Sequence, residues 1–162
     1  MSFKPFLKGW PLAAWGLLGL GGCGPDWDGP PLAHVSGIVT LDGAPLPNAI
    51  IIFEPIGEGH PATGFTDENG EYDLEYNEGI PGAVVGPALV RISTWRAGYD
   101  NGTFHPSIPE KVPVLYNARS QENPQMKRQV EPNDNEIDFD LSSTAGEIER
   151  HPELPVPVLG QR

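Results

Sequence analysis

The chain has 162 residues, which is enough for one ordinary domain with tails. Its 20 glycines and 19 prolines favour many turns between short strands, and outside the N-terminal segment they leave almost no stretch long enough for a helix. The formal net charge of −12 disfavours nucleic acid as a partner, because phosphates would be repelled.

The first 22 residues have the order of an export signal. Lys4 and Lys8 precede an apolar run over residues 12–20, and small residues follow it. The run is shorter than the roughly 20 residues that a membrane-spanning helix needs. We therefore expect a signal peptide over residues 1–22 rather than a permanent transmembrane helix.

Cys23, the single cysteine, follows this signal directly. The tetrapeptide Leu20-Gly21-Gly22-Cys23 resembles the bacterial lipobox. The resemblance implies that the chain is cleaved before Cys23 and that the Cys23 thiol is acylated. The lipid would then attach the protein to a membrane of the cell envelope. The resemblance does not decide between the inner and the outer membrane. The alternative is an ordinary secretory signal with an incidental cysteine.

Residues 23–33 are rich in Pro and Gly and are interpreted as a tether. After them come short segments in which apolar and polar residues alternate or β-branched residues are frequent. They predict seven strands, at residues 35–41, 49–55, 62–66, 72–76, 88–95, 126–130 and 136–141. In the fourth, Tyr72, Leu74 and Tyr76 are expected to face the core. The pattern predicts an all-β fold, an antiparallel seven-stranded β-sandwich over residues 34–142, followed by a disordered Pro-rich tail at residues 143–162.

Two turn motifs resemble those of the carboxypeptidase regulatory-like (transthyretin-like, or prealbumin-like) domain. The first is Asp42-Gly43-Ala44-Pro45-Leu46, and the second is the run from Thr66 through Gly70 to Tyr72. Segments 111–117 and 135–141 extend the resemblance over residues 34–141. It implies the accessory β-fold without the peptidase, and it carries over no catalytic residue.

The sequence contains no catalytic or metal-binding motif that we recognise. The four histidines are scattered, and no nucleophile-elbow motif is present. The run 67–71 superficially resembles a calcium loop, but a hairpin turn is favoured. Glu136, Asp138 and Asp140 are interpreted as solvated charges at a sheet edge in preference to a weak cation site. We expect no enzyme activity, no metal and no cofactor.

Five apolar residues fall on the predicted outward faces of the strands, and they form a candidate interaction surface. They are Ile38, Ile50, Ile52, Leu89 and Trp95. The alternative is that residues 96–125 or the tail cover them, because large exposed apolar patches are uncommon on monomers.

Two functional hypotheses follow. The first is a membrane-anchored extracytoplasmic lipoprotein that carries a non-catalytic binding or structural module for an envelope protein or polysaccharide. The second is a carbohydrate- or metal-binding domain with a ligand cleft in the 96–125 loop, lined by Trp95, Tyr99, Asp100, His105 and Tyr116. The sequence leaves the ligand and the oligomeric state open.

Overall fold

The computed structural model describes residues 28–77 and 79–151. The predicted signal peptide, Cys23, most of the tether and the end of the tail lie outside the described residues. Within those residues, no helix has the length and apolar character needed to cross a membrane.

The described part of the chain is built from short β-strands with three 3₁₀ helices, so the predicted all-β class is confirmed. The strands are β1 (Leu32–Ala33), β2 (Val35–Leu41), β3 (Ala44–Pro45), β4 (Ile50–Pro55), β5 (Ala62–Phe65), β6 (Glu71–Asp73), β7 (Glu75–Asn77), β8 (Ile80–Pro81), β9 (Ala83–Val84), β10 (Gly86–Ser93), β11 (Tyr99–Asp100), β12 (Phe104–His105), β13 (Lys127–Val130), β14 (Asn135–Glu136) and β15 (Phe139–Leu141). The 3₁₀ helices are Val114–Tyr116, Ser120–Glu122 and Pro124–Met126.

The larger sheet has six strands in the order β13-β10-β4-β5-β7-β8, and all its neighbours are antiparallel. Its longest pairing is that of β4 and β10, in which Phe53 lies opposite Val90 and Ile51 opposite Ile92. These residues are buried while their chain neighbours are more exposed, so the alternation in the sequence reports the two faces of this sheet.

The second sheet is centred on β2 and corrects the predicted, wholly antiparallel arrangement. β3 and β6 are antiparallel to β2, but β14 and β15 are parallel to it. The chain returns beside the beginning of β2, where the backbone N–H and the side-chain amide of Asn135 both donate to the carbonyl oxygen of His34. This attachment sets the direction of the last strands.

The predicted strand at residues 72–76 is two strands that belong to different sheets. β6 pairs with β2, whereas β7 pairs with β5. Between them, the Leu74 N–H donates to Val35 at 3.0 Å and the Leu74 carbonyl accepts from Gly82 at 2.7 Å. Tyr72, Leu74 and Tyr76 are all buried, as predicted, because the chain crosses the core as it changes sheets.

The predicted strand at residues 136–141 is also interrupted. Between β14 and β15, one oxygen of the Asp138 carboxylate accepts the N–H of Ile38 at 2.8 Å, and within β15 the Asp140 carboxylate accepts the Thr40 hydroxyl at 2.6 Å. Both residues are exposed, and their carboxylates also bind β2.

One hydrophobic core draws on both sheets. Phe53 of the larger sheet meets Phe139 of the second sheet edge to face, with ring centroids 6.2 Å apart. Around this pair lie other buried apolar side chains: Val35, Val39, Ile51, Leu74, Val90, Ile92, Met126 and Val130. Full burial of an aliphatic side chain of this size contributes roughly 1.5–3 kcal/mol.

The described structure continues beyond the predicted domain limits, 34 and 142. Ala33 is buried, and β1, inside the predicted tether, pairs with β9. Past residue 142, Ser143 donates its N–H to Asp42 and Glu147 accepts the N–H of Val114 at 2.8 Å. Hydrogen bonds help to hold both segments, and such bonds leave no hydrophobic pattern in the sequence.

Candidate functional site

The five outward apolar residues do not form one patch. Ile38 lies on β2 of the second sheet, whereas Ile50 and Ile52 lie on β4 and Leu89 on β10 of the larger sheet. Ile38 is 38% exposed, and Ile50, Ile52 and Leu89 are partly buried. Their use as an interaction surface stays a prediction.

The outer face of the larger sheet also carries polar neighbours. Ile52 lies between Arg91 and Thr63, and Arg91 forms a 3.2 Å salt bridge with Glu54. Leu89 packs against the edge of the core. Polar side chains therefore flank Ile52 on this face, whereas Ile50 lies opposite the exposed Phe65.

The residues of the predicted loop cleft are also dispersed. Tyr99 and His105 face each other in the small β11–β12 hairpin, with ring centroids 4.4 Å apart, and Tyr99 is 57% exposed. Asp100 accepts the N–H of Gly102 in the same hairpin. Tyr116, by contrast, is buried, and its hydroxyl accepts the N–H of Ser142. Tyr116 thus belongs to the core rather than to a cleft with Tyr99.

Trp95 lines a large cleft. The cleft has a volume of about 630 Å³ and lies between residues 107–110 and residues 146–151. Trp95 stacks on His151, with ring centroids 4.2 Å apart and planes inclined by 28°. Sequence reasoning singled out Trp95, but it missed the cleft because half of its lining comes from the predicted tail.

Glu110 lines this cleft, and its carboxylate forms hydrogen bonds to the surrounding loop. Its carboxylate accepts the Ser93 hydroxyl at 2.5 Å, the Thr94 N–H and hydroxyl at 3.0 Å each, and the Val112 N–H at 3.0 Å. Partial burial disfavours ionisation, but these hydrogen bonds outweigh it and hold the pKa of Glu110 below its ordinary value. The acceptor capacity of the carboxylate is therefore largely used within the fold.

A second groove, also of about 630 Å³, runs between β5 and strands β6 and β7. Phe65, 58% exposed, lies on it together with four carboxylates, those of Asp67, Glu71, Asp73 and Glu75. Arg96 lies over the Phe65 ring at 5.0 Å and donates to the carbonyl oxygen of Asn48. Acidic side chains thus dominate the charge on this groove.

The run at residues 67–71 is a turn held by its own carboxylate. Asp67 Oδ1 accepts the N–H of Asn69 at 2.8 Å and of Glu71 at 2.9 Å. Across 28–77 and 79–151, no group of three or more His, Cys, Asp or Glu side chains is arranged to hold a metal ion.

Thr66 is a residue that sequence reasoning did not single out. It is buried, its hydroxyl donates to Leu46 O at 2.6 Å, and the same oxygen accepts Ala49 N–H at 2.8 Å. Thr66 therefore joins the second turn motif to the last residue of the first, Leu46, and to Ala49 just beyond it. The only sequence signal was its position at the head of the Thr66–Tyr72 motif.

No protein-family model matches the chain, and no curated protein matches it significantly in sequence. Among solved structures, the chain is similar to a DUF3823 family protein from Parabacteroides merdae, with a TM-score of 0.36 and 14% identity. The match covers 69% of this chain and 46% of that one, so the chain spans less than half the length of that protein. No family assignment follows from it.

Proposed function

We propose that this protein is an exported bacterial lipoprotein that carries a non-catalytic β-sandwich for binding or structural support at the cell envelope. The observation that carries the proposal is the position of Cys23, directly behind an export signal and nine residues before β1 begins at Leu32. A lipid on Cys23 would hold the domain to the membrane by a short tether. Several acyl chains on one residue give stable anchoring, whereas a single chain holds only marginally.

The finer fold belongs to the same proposal: a sandwich of the carboxypeptidase regulatory-like, transthyretin-like kind, modified by the parallel strands β14 and β15. Its support is that the two turn motifs meet on one residue of β2. Val39 donates its N–H to Gly70 O at 2.8 Å and accepts the Leu46 N–H at 2.9 Å. Asp42 and Gly43 have φ of 51° and 80°, the backbone conformation of a tight hairpin turn.

We propose that the module is non-catalytic because the residues of its second turn motif have structural roles. Thr66, Asp67, Gly70 and Tyr72 all make contacts that build the fold. Glu110, the partly buried carboxylate, is likewise engaged by the loop around it. The role of the module then lies in what its exposed surface binds.

Metabolic labelling tests the anchor. Cells expressing the whole chain are fed radioactive palmitate, and the wild type is compared with Cys23→Ser and with a tether control, Asp26→Asn. We expect label and membrane association in the wild type and the control, and the loss of both in Cys23→Ser. Equal labelling of the wild type and Cys23→Ser would overturn the proposal.

A further inference from the structure

We propose that the cleft beside Trp95 binds an uncharged saccharide. The inference deepens the proposed function and rests on it, because it names the ligand class of the binding module. Its volume of about 630 Å³ lies within the roughly 300–1,000 Å³ of typical small-ligand sites.

The walls of the cleft combine an aromatic surface with apolar and polar edges. The Trp95–His151 stack forms one wall, and Ile108, Pro109 and Ile148 supply apolar surface. Ser107 is a polar, uncharged residue on the same lining. A sugar ring has the matching composition, since its C–H groups form an apolar face and its hydroxyls form a polar rim. Aromatic side chains offer large, rigid contact area to such a face.

The charges on the lining disfavour an anionic ligand. Two carboxylates, those of Glu110 and Glu149, stand against one guanidinium, that of Arg150. The Glu110 carboxylate is engaged by Ser93, Thr94 and Val112, which leaves little of it to bind a cationic ligand. The groove beside Phe65 is more acidic, with four carboxylates and no Lys or Arg among its lining residues, so it is the poorer match for an uncharged ligand.

The cleft lies far from the point where the N-terminal segment attaches to the domain. The N-terminal end of the domain is attached at the beginning of β10, where Val85 donates its N–H to Pro31 O. Trp95 follows the other end of this eight-residue strand. At about 3.3 Å per residue, the cleft lies roughly 25 Å from the attachment point. The cleft and the attachment of the N-terminal segment therefore lie at opposite ends of β10.

Calorimetric titration of the whole chain in detergent tests the inference. The probes are cellohexaose, mannohexaose and xylohexaose, with trigalacturonate as an anionic comparison. We expect at least one neutral oligosaccharide to bind. Affinity should fall about tenfold or more in Trp95→Ala, a loss of about 1.4 kcal/mol, and by a smaller factor in Trp95→Phe, which keeps an aromatic ring.

Two further variants separate the cleft from general effects on the fold. Ile148→Lys changes a side chain that is 39% exposed on the cleft, and we expect it to weaken binding while leaving the melting temperature near that of the wild type. Phe65→Ala removes an exposed aromatic ring from the other groove, and binding should be unchanged.

The inference is overturned if none of the neutral oligosaccharides binds, if only trigalacturonate binds, or if binding is unaffected by Trp95→Ala and Ile148→Lys. These outcomes are distinct from failure of the anchor. A chain that carries palmitate but binds no saccharide would lose only this inference, and a chain that binds saccharide through Trp95 without palmitate would lose only the anchor.

Discussion

Tyr72 lies opposite Gly37 across the pair of β2 and β6, and its hydroxyl donates a 2.7 Å hydrogen bond to the carbonyl oxygen of Ile137. That oxygen occupies the place that a side chain at position 37 would need, since a Cβ built on Gly37 would lie 2.1 Å from it. Because Gly37 has no side chain, Ile137, between β14 and β15, can approach β2. Its carbonyl oxygen can then accept the hydrogen bond from the Tyr72 hydroxyl.

Gly37→Ala should therefore destabilise the fold strongly. The added methyl group meets a backbone carbonyl, which cannot rotate away as a flexible side chain can. We expect a loss of about 2–4 kcal/mol in the free energy of unfolding, measured by urea denaturation. Ser36→Ala, on the same strand, is the control and should change stability by less than about 1 kcal/mol. Wild-type stability in Gly37→Ala would contradict the close approach of Ile137.

Tyr72→Phe should change how stability depends on alkaline pH. Burial, and to a lesser extent the nearby Asp138 carboxylate, raise the pKa of Tyr72 well above its ordinary value of 10.0. Above pH 10 the unfolded chain loses this proton while the folded chain keeps it, so stability falls as pH rises. Denaturation curves between pH 9 and 11 should be less pH-dependent in Tyr72→Phe, which also loses about 1 kcal/mol at pH 7. Identical slopes in the two proteins would refute the assignment.

Thr66 offers a matched pair of substitutions. Thr66→Val keeps the shape but removes the hydroxyl, and it leaves Leu46 O and Ala49 N–H without their partner. We expect a loss of about 1–3 kcal/mol, measured by thermal unfolding. Thr66→Ser keeps both hydrogen bonds and should lose less than Thr66→Val. The reverse order would show that the methyl group, not the hydroxyl, matters there.

Glu110→Gln should reduce stability mainly above the acidic range. Because the folded-state pKa of Glu110 lies below its ordinary value of 4.5, its ionisation stabilises the fold above about pH 4.5, and this contribution is lost as pH falls through the folded-state pKa. At pH 7 the variant should lose about 1–3 kcal/mol, since the hydrogen bonds to a charged acceptor are removed. Near pH 3 the difference should shrink. Glu149→Gln, at an exposed residue of the same cleft, is the control and should change stability at pH 7 by less than about 0.5 kcal/mol.

Individual strands could be predicted from the sequence, but their assembly could not. The alternation around Ile51 and Phe53 led to a strand that is found at Ile50–Pro55, and 35–41 is found as predicted. The 72–76 segment was predicted as one strand because Tyr72, Leu74 and Tyr76 alternate perfectly. Its change of sheet at Leu74 depends on hydrogen bonds to Val35 and Gly82, which leave no periodic signal in the sequence.

The candidate site was only partly visible for a related reason. Trp95 was predicted to belong to a site because it is an outward aromatic residue. Tyr116 was predicted to belong to it because it lies in the 96–125 loop. In the structure Tyr116 is buried, while His151, distant in sequence, stacks on Trp95. A cleft between two segments that are distant in sequence depends on where the fold places each segment. Residue type and spacing give little information about that placement.

By itself, the sequence determined that this is an all-β chain with short strands and tight turns, because side-chain alternation, glycine and proline act locally on the backbone. Only the tertiary structure decided that β14 and β15 run parallel to β2, that Gly37 must lack a side chain, and that Trp95 lines a cleft. Each of these depends on contacts between residues far apart in the chain. Such contacts are selected by packing and hydrogen bonding in the assembled fold, not by local propensity.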